Sequence, residues 1–155
     1  MRLAELSPIG QRIKLTTIHF SAEDIIRFAQ KYDPQSFHLD EEAAKNSVLG
    51  GLCASGWQSA ASWMRSFLTF WKGEVKRLMS EGIVPPKLGP SPGFKDLKWV
   101  KPVYAGDDIT YYTTLLETRP LASRPGTHIN TTLNEGVNQH GETVVSFTST
   151  VLEFD

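Results

Sequence analysis

Asp33 and His38 stand five residues apart in the run Tyr32-Asp33-Pro34-Gln35-Ser36-Phe37-His38-Leu39-Asp40. An acid and an imidazole at this spacing on a loop are suited to holding one water between them. The carboxylate can take a proton from that water while the imidazole orients it or shuttles the proton. Just downstream lies a small-residue turn, Gly50-Gly51-Leu52-Cys53-Ala54-Ser55-Gly56, that opens a long helical pattern. The first N–H groups of a helix have no internal partner and can bind a developing negative charge. Base, water and oxyanion site are the parts needed to add water across a double bond next to a carbonyl. Asp33 and His38 are therefore the candidate catalytic pair, and Gly56 is the candidate oxyanion donor.

Each of these residues also has a plainer reading. Asp33 followed by Pro34 is ordinary turn chemistry, and a single His38 could simply bond backbone. It is their joint spacing beside the Gly56 turn that favours catalysis. Asp40 reads as the cap of a following short helix. Ser55 either caps the long helix or lends its hydroxyl to the site. Gln35 either reaches the substrate or shapes the loop. Cys53 reads as a small, inert buried residue.

The elements that must position these residues are legible in the hydropathy pattern. Ile13, Leu15 and Thr17 alternate with Arg12, Lys14 and Thr16, predicting a strand within residues 10–20. Ser21 and Asp24 resemble a capping box, and Ile25, Ile26, Phe28 and Ala29 have helical spacing up to the stop at Pro34. From Gly56 to about Ser80, an apolar stripe runs through Trp57, Ala60, Ala61, Met64, Phe67, Leu68, Trp71, Val75, Leu78 and Met79. Gln58, Arg65, Lys72 and Lys76 lie off it. Residues 82–94 are rich in Pro and Gly and predict a loop. Period-two runs follow at 94–100, 107–118, 127–135 and 143–154, with a hairpin turn at Asn138-Gln139-His140-Gly141. One long helix followed by an antiparallel meander predicts an α+β fold, a sheet wrapped around a central helix in hot-dog fashion. An exposed sheet edge predicts at least a homodimer.

Composition narrows the function classes. The 155 residues read as one domain, 1–155, of a size that buries roughly 70% of its unfolded surface. Sixteen basic and 17 acidic residues give a net charge of −1, so no field would recruit nucleic acid or an acidic membrane. One cysteine excludes an intrachain disulfide or a CxxC metal site. His19, His128 and His140 show no ligand spacing, so no metal is expected. The first eight residues carry no apolar signal core and no stretch is apolar enough to span a bilayer, which predicts a cytoplasmic protein.

From about Ile18 to Phe154 the chain resembles the MaoC-like dehydratases, which include the (R)-specific enoyl-CoA hydratases. The matching pieces are Phe28-Ala29, then Asp33, His38 and Asp40 at the spacing D-x-N-P-x-H-x-D. Ser55-Gly56 follows at the helix start, then Pro102-Val103-Tyr104-Ala105-Gly106-Asp107 and Asn138-Gln139-His140-Gly141-Glu142. The chain departs from the family pattern at Gln35-Ser36, where the family has Asn-Pro, and at Ser55-Gly56-Trp57, where the hydratases have His-Gly-Met. The resemblance implies reversible hydration of a 2-enoyl thioester by Asp33 and His38, with the Gly56 N–H on the thioester oxygen. It implies Gln35, Ser55 and Trp57 as substrate-contacting positions; Trp57 either narrows the acyl pocket or packs in the core. It implies no cofactor beyond coenzyme A as part of the substrate. Lys95, Lys98, Lys101 and Arg124 would meet a coenzyme A phosphate or remain solvated. The competing readings are a hot-dog thioesterase and a non-catalytic acyl-CoA-binding protein.

Overall fold

The computed structural model describes residues 1–155. Its elements in chain order are α1 (Leu3–Leu6), β1 (Arg12–His19), α2 (Ala22–Tyr32), α3 (Ser36–Leu39), α4 (Glu41–Lys45) and α5 (Gly56–Ser80). There follow β2 (Lys87–Leu88), β3 (Gly93–Trp99), β4 (Asp108–Pro120), β5 (Thr127–Val137) and β6 (Thr143–Phe154). The strands form one antiparallel sheet in the order β1-β4-β5-β6, and β2 and β3 lie in tandem along the outer edge of β6. The meander is thus β4-β5-β6. The strand after the Pro-rich loop does not pair with its sequence neighbour β4 but crosses to β6.

This is the expected α+β hot-dog arrangement, with α5 laid against the curled sheet. What holds the helix there differs from the hydropathy stripe. The buried residues of α5 include Ser59, Trp63 and Ser66, which lie off the stripe, and Leu78, which belongs to it. The Ser66 hydroxyl accepts from the Thr16 N–H at 3.0 Å and lies 2.6 Å from the Thr16 hydroxyl. The Trp63 indole N–H donates to the Tyr112 carbonyl at 3.1 Å, and the buried Tyr111 hydroxyl donates to the Ser59 carbonyl at 2.8 Å. Trp63 also stacks on Phe67 and meets Phe147 edge-on. Gln58, off the stripe in sequence, is buried as well. Trp57, Met64 and Leu68, by contrast, are about half exposed. The helix presents apolar side chains on two faces. The sheet takes the face with the serines, because small residues let backbones approach and the Ser66 hydroxyl satisfies the Thr16 N–H of β1.

Close approach recurs inside the sheet. A Cβ on Gly136 of β5 would meet Val145 Cγ1 at 2.9 Å and Tyr111 Cε1 at 3.0 Å, so glycine lets these core residues close over the strand. Gly141, at φ 77°, forms the β5–β6 hairpin where the sequence predicts it. Gln139 in that turn does more than turn the chain. Its side chain accepts from the Asp108 N–H and donates to the Asp107 carboxylate, tying the hairpin to the start of β4. No helix is long and apolar enough to cross a membrane.

The two faces of α5 have separable energetic roles. Trp63→Ala removes a buried, hydrogen-bonded aromatic and should cost about 3–5 kcal/mol. Met64→Ala, one residue on, should cost under about 1 kcal/mol. Urea unfolding of the two variants against the parent checks the assignment.

Candidate active site

Asp33 and His38 are delivered by two consecutive short elements. Helix α2 is anchored by fully buried Ile25 and Ala29, and Asp33 caps its C-terminus with its N–H on the Ala29 carbonyl at 2.9 Å. Pro34 prevents continuation. The chain turns at Gln35 and re-enters a single helical turn, α3, that carries His38. Asp40 then caps α4 by accepting from the Ala43 N–H at 2.8 Å, the structural role read for it in the sequence. The segment is a helical turn and not an irregular loop, so His38 has a fixed direction.

That direction is set by the backbone of the turn before α5. The His38 Nδ1–H donates to the Cys53 carbonyl at 2.6 Å, with the Cys53 sulfur 3.7 Å from the same nitrogen. A carbonyl has no proton to give, so Nδ1 carries one, and Nε2 offers a lone pair when the ring is neutral and an N–H when it is charged. Nε2 faces Asp33 Oδ2 at 3.3 Å. The other Asp33 oxygen accepts from the Gln35 side-chain amide at 2.6 Å. His38 is 6% exposed, and the Asp33 side chain keeps 17%. Burial pushes the Asp33 carboxyl up. The hydrogen bonds from Gln35 and the nearby Ser55 hydroxyl, and then the charge on His38, outweigh that and hold it below the ordinary carboxylate value. Asp33 is therefore an ionised acceptor at neutral pH. With the ring neutral, the two facing acceptors can take both protons of a single water and leave its oxygen lone pairs free.

The turn is itself held by the segment after β3. Ala54 N–H donates to the Val103 carbonyl at 2.8 Å, Ala105 N–H to the Leu52 carbonyl at 3.0 Å, and Cys53 bridges Tyr104. The Tyr104 hydroxyl reaches back to the Leu49 carbonyl at 2.8 Å. This is what the Pro102–Asp107 motif does: it pins both sides of the turn that receives His38. Ser55, fully buried, caps α5 by accepting from the Trp57 N–H at 3.3 Å. The Gly56 N–H has no acceptor in the protein. A Cβ at Gly56 would fall 2.3 Å from Cε2 of Trp99, so only glycine admits that indole against the helix start. Trp99 meets Trp57 edge-on at 5.1 Å.

The structure thus joins Asp33, His38, Gln35 and Ser55 in one cluster, with the Gly56 N–H unpaired at the adjoining helix start. The Trp57 side chain belongs elsewhere. It is 52% exposed and lines a cavity of about 780 Å³ that runs along α5, together with Ala60, Ala61, Met64, Phe67 and Trp71. Neither Asp33 nor His38 lines that cavity; Trp57 lies between the two regions. Two participants have no sequence signal: the Cys53 carbonyl, which any residue could supply, and Trp99, brought to Gly56 only by the sheet. Arg124 sits in the β4–β5 turn, at the opposite end of the sheet from Trp99, so it does not share a rim with Lys95 and Lys98. Lys101 is paired with Glu142. No three of the His, Cys, Asp and Glu residues cluster as metal ligands.

The MaoC like domain family matches residues 5–135 of this sequence. The chain belongs to that family. It is 32% identical over 126 residues, 81% of both chains, to the uncharacterized protein YdeM of Bacillus subtilis (strain 168). Among solved structures it is similar to a MaoC-like dehydratase from Rhodospirillum rubrum, with 36% identity and a TM-score of 0.80 over 97% of this chain and 94% of that one. It also shares its fold with the R-hydratase PhaJ1 of Pseudomonas aeruginosa, at 21% identity and a TM-score of 0.66 over 95% and 82% of the two chains. This MaoC-like chain accordingly has the hot-dog fold that it shares with these proteins.

The depressed Asp33 carboxyl has a thermodynamic consequence. The native state holds fewer protons than the unfolded chain in the window between the lowered value and the ordinary 3.8. Its stabilising contribution is complete above that window and is lost as pH falls through the folded value. Between about pH 5 and about pH 2, a range that brackets that window, the wild type should lose more stability than Asp33→Asn does. Urea midpoints at both pH values, measured on both proteins, check this.

Proposed function

We propose that this MaoC-like protein reversibly adds water to a trans-2-enoyl thioester, with the acyl chain in the cavity along α5. The observation that carries this reading is the Nδ1 lock on the Cys53 carbonyl, which leaves His38 Nε2 facing Asp33 Oδ2 at 3.3 Å. One water donates a proton to each. Asp33 takes its proton as the oxygen attacks the β-carbon, and the electron pair of the double bond moves to the thioester as an enolate. The free Gly56 N–H, at the positive end of α5, donates to the enolate oxygen. A proton then returns to the α-carbon from the Asp33–His38 pair, so one water is consumed and the site is restored. The thioester already acidifies the α-position, and the steps use only these groups. Gln35 holds the second Asp33 oxygen, Ser55 supports the carboxylate and caps the helix, and Trp57 forms the entrance of the acyl cavity. The volume falls within the roughly 300–1,000 Å³ of small-molecule sites. We further propose coenzyme A as the carrier and a cytoplasmic homodimer. The outer edge of β3 is unpaired, and Phe94, Trp99 and Val100 are exposed there, as a sheet edge completed by a second copy requires.

Absorbance of enoyl-CoA substrates at the enoyl band, followed beside a thiol reagent, tests the reaction type. Loss of the band without thiol release is the expected result. Thiol release means a thioesterase, and saturable binding with neither means a binding protein. Asp33→Asn and His38→Ala should each lower kcat by about a hundredfold or more while the fold survives. The double variant should fall short of the product of the two, because both residues hold one water.

A further inference from the structure

Glu153, near the end of β6, is a carboxylate only 1% exposed that the hydration chemistry does not use. Two of its three partners belong to the start of one element, α1. The Leu3 N–H donates to Oε1 at 2.8 Å, the Arg2 guanidinium lies 3.2 Å from the same oxygen, and the Asn130 amide donates to Oε2 at 2.8 Å. Arg2 also reaches the Asp155 carboxylate at 2.8 Å. A four-residue helix has no stability of its own. Helix α1 exists because this clamp holds its first turn, and the clamp places Leu3, Leu6 and Ser7 in the wall of the cavity along α5.

Two independent rulers locate that wall. Along α5 the cavity runs from Trp57 to Arg77, a rise of about 30 Å. Along β6, Trp99 pairs with Val145 beside the catalytic end, and from Val145 to Glu153 the strand runs roughly 27 Å. Both put α1 at the end remote from Asp33 and His38. Arg77, which also lines that end, is engaged by Glu74 and Glu81 at 2.9 Å each. It is therefore not a spare cation for a second carboxylate on the ligand. We propose that α1 is the end wall of the acyl cavity, that Leu6 limits the length of an unfunctionalised acyl chain, and that Glu153 and Arg2 are the positioning residues that hold this wall. The inference rests on the acyl chain occupying the cavity, as in the proposed hydration.

The test is a length series, from crotonyl-CoA to hexacosenoyl-CoA for turnover and the matching saturated acyl-CoAs for binding by tryptophan fluorescence. A methylene in a hydrophobic pocket is worth roughly tenfold or more. Leu6→Trp should therefore lower kcat/KM for the longest good substrate by about tenfold or more relative to crotonyl-CoA, through KM, and Leu6→Ala should move the limit to longer chains. Opposite shifts from one position cannot arise from a general loss of fold, and melting temperatures taken on the same samples check folding. Arg2→Ala should raise KM for long chains while kcat on crotonyl-CoA holds. If the wild type hydrates nothing but saturated-chain binding still shifts both ways with Leu6, the hydration reading fails and the end wall stands. If hydration proceeds and the length profile is the same in all variants, the end wall is wrong. If no thioester is bound or turned over, both fall.

Discussion

The hydrogen bond from His38 to the Cys53 carbonyl is the interaction on which the rest of the site depends. It joins two parts of the chain that pack for different reasons: the short helix α3, hung from α2, and the turn that starts α5. By fixing the proton on Nδ1 it fixes what Nε2 can do. It also brings the imidazole onto the turn whose next residues supply the Ser55 cap and the free Gly56 N–H. Were the ring to turn over, Cδ2 would face the carbonyl and Cε1 would face Asp33, and both contacts would be lost. The bond is short and shielded from solvent, so competition from water is weak. The Pro102–Asp107 segment matters to chemistry because it holds that carbonyl in place.

The long helix serves the site by what it leaves unfilled. A helix packed through its largest side chains would fill the space under the sheet. Here Ser59 and Ser66 bring the backbone close, the Ser66 hydroxyl bonds to β1, and Trp63, with Phe67 beside it, supplies bulk. The larger apolar stripe is thereby freed to line a cavity. The close helix contact and the open cavity are two results of one choice of residues. Fold stability and ligand volume are consequently assigned to different faces of α5.

What the sequence reveals follows from how local each feature is. The Asp33–His38 pair, the Asp40 and Ser55 caps and the limits of α5 rest on spacing within one or two turns, and they are legible. The orientation of α5 is not, because hydropathy selects Trp57, Met64 and Leu68, whereas the sheet selects the serines and Trp63. The Cys53 carbonyl carries no side-chain signature. Trp99 reaches Gly56 only once β3 pairs with β6, a crossover that period-two patterning does not encode. Helix α1 and strand β2 are too short for periodicity, and each depends on contacts with the end of β6. The segment that carries Asp33 and His38 is readable from spacing, whereas the cavity and its walls require the tertiary structure.

The central claim is that the water held by Asp33 and His38 adds to the β-carbon. Oxygen-18 labelling follows that atom directly. A purified enoyl thioester is converted by the protein in labelled water, and the products are analysed by mass spectrometry. The account predicts one labelled oxygen in the hydroxyl at the β-carbon of an intact 3-hydroxyacyl thioester. Label in a free carboxylate, with release of the thiol, or an unlabelled, unchanged thioester would contradict it.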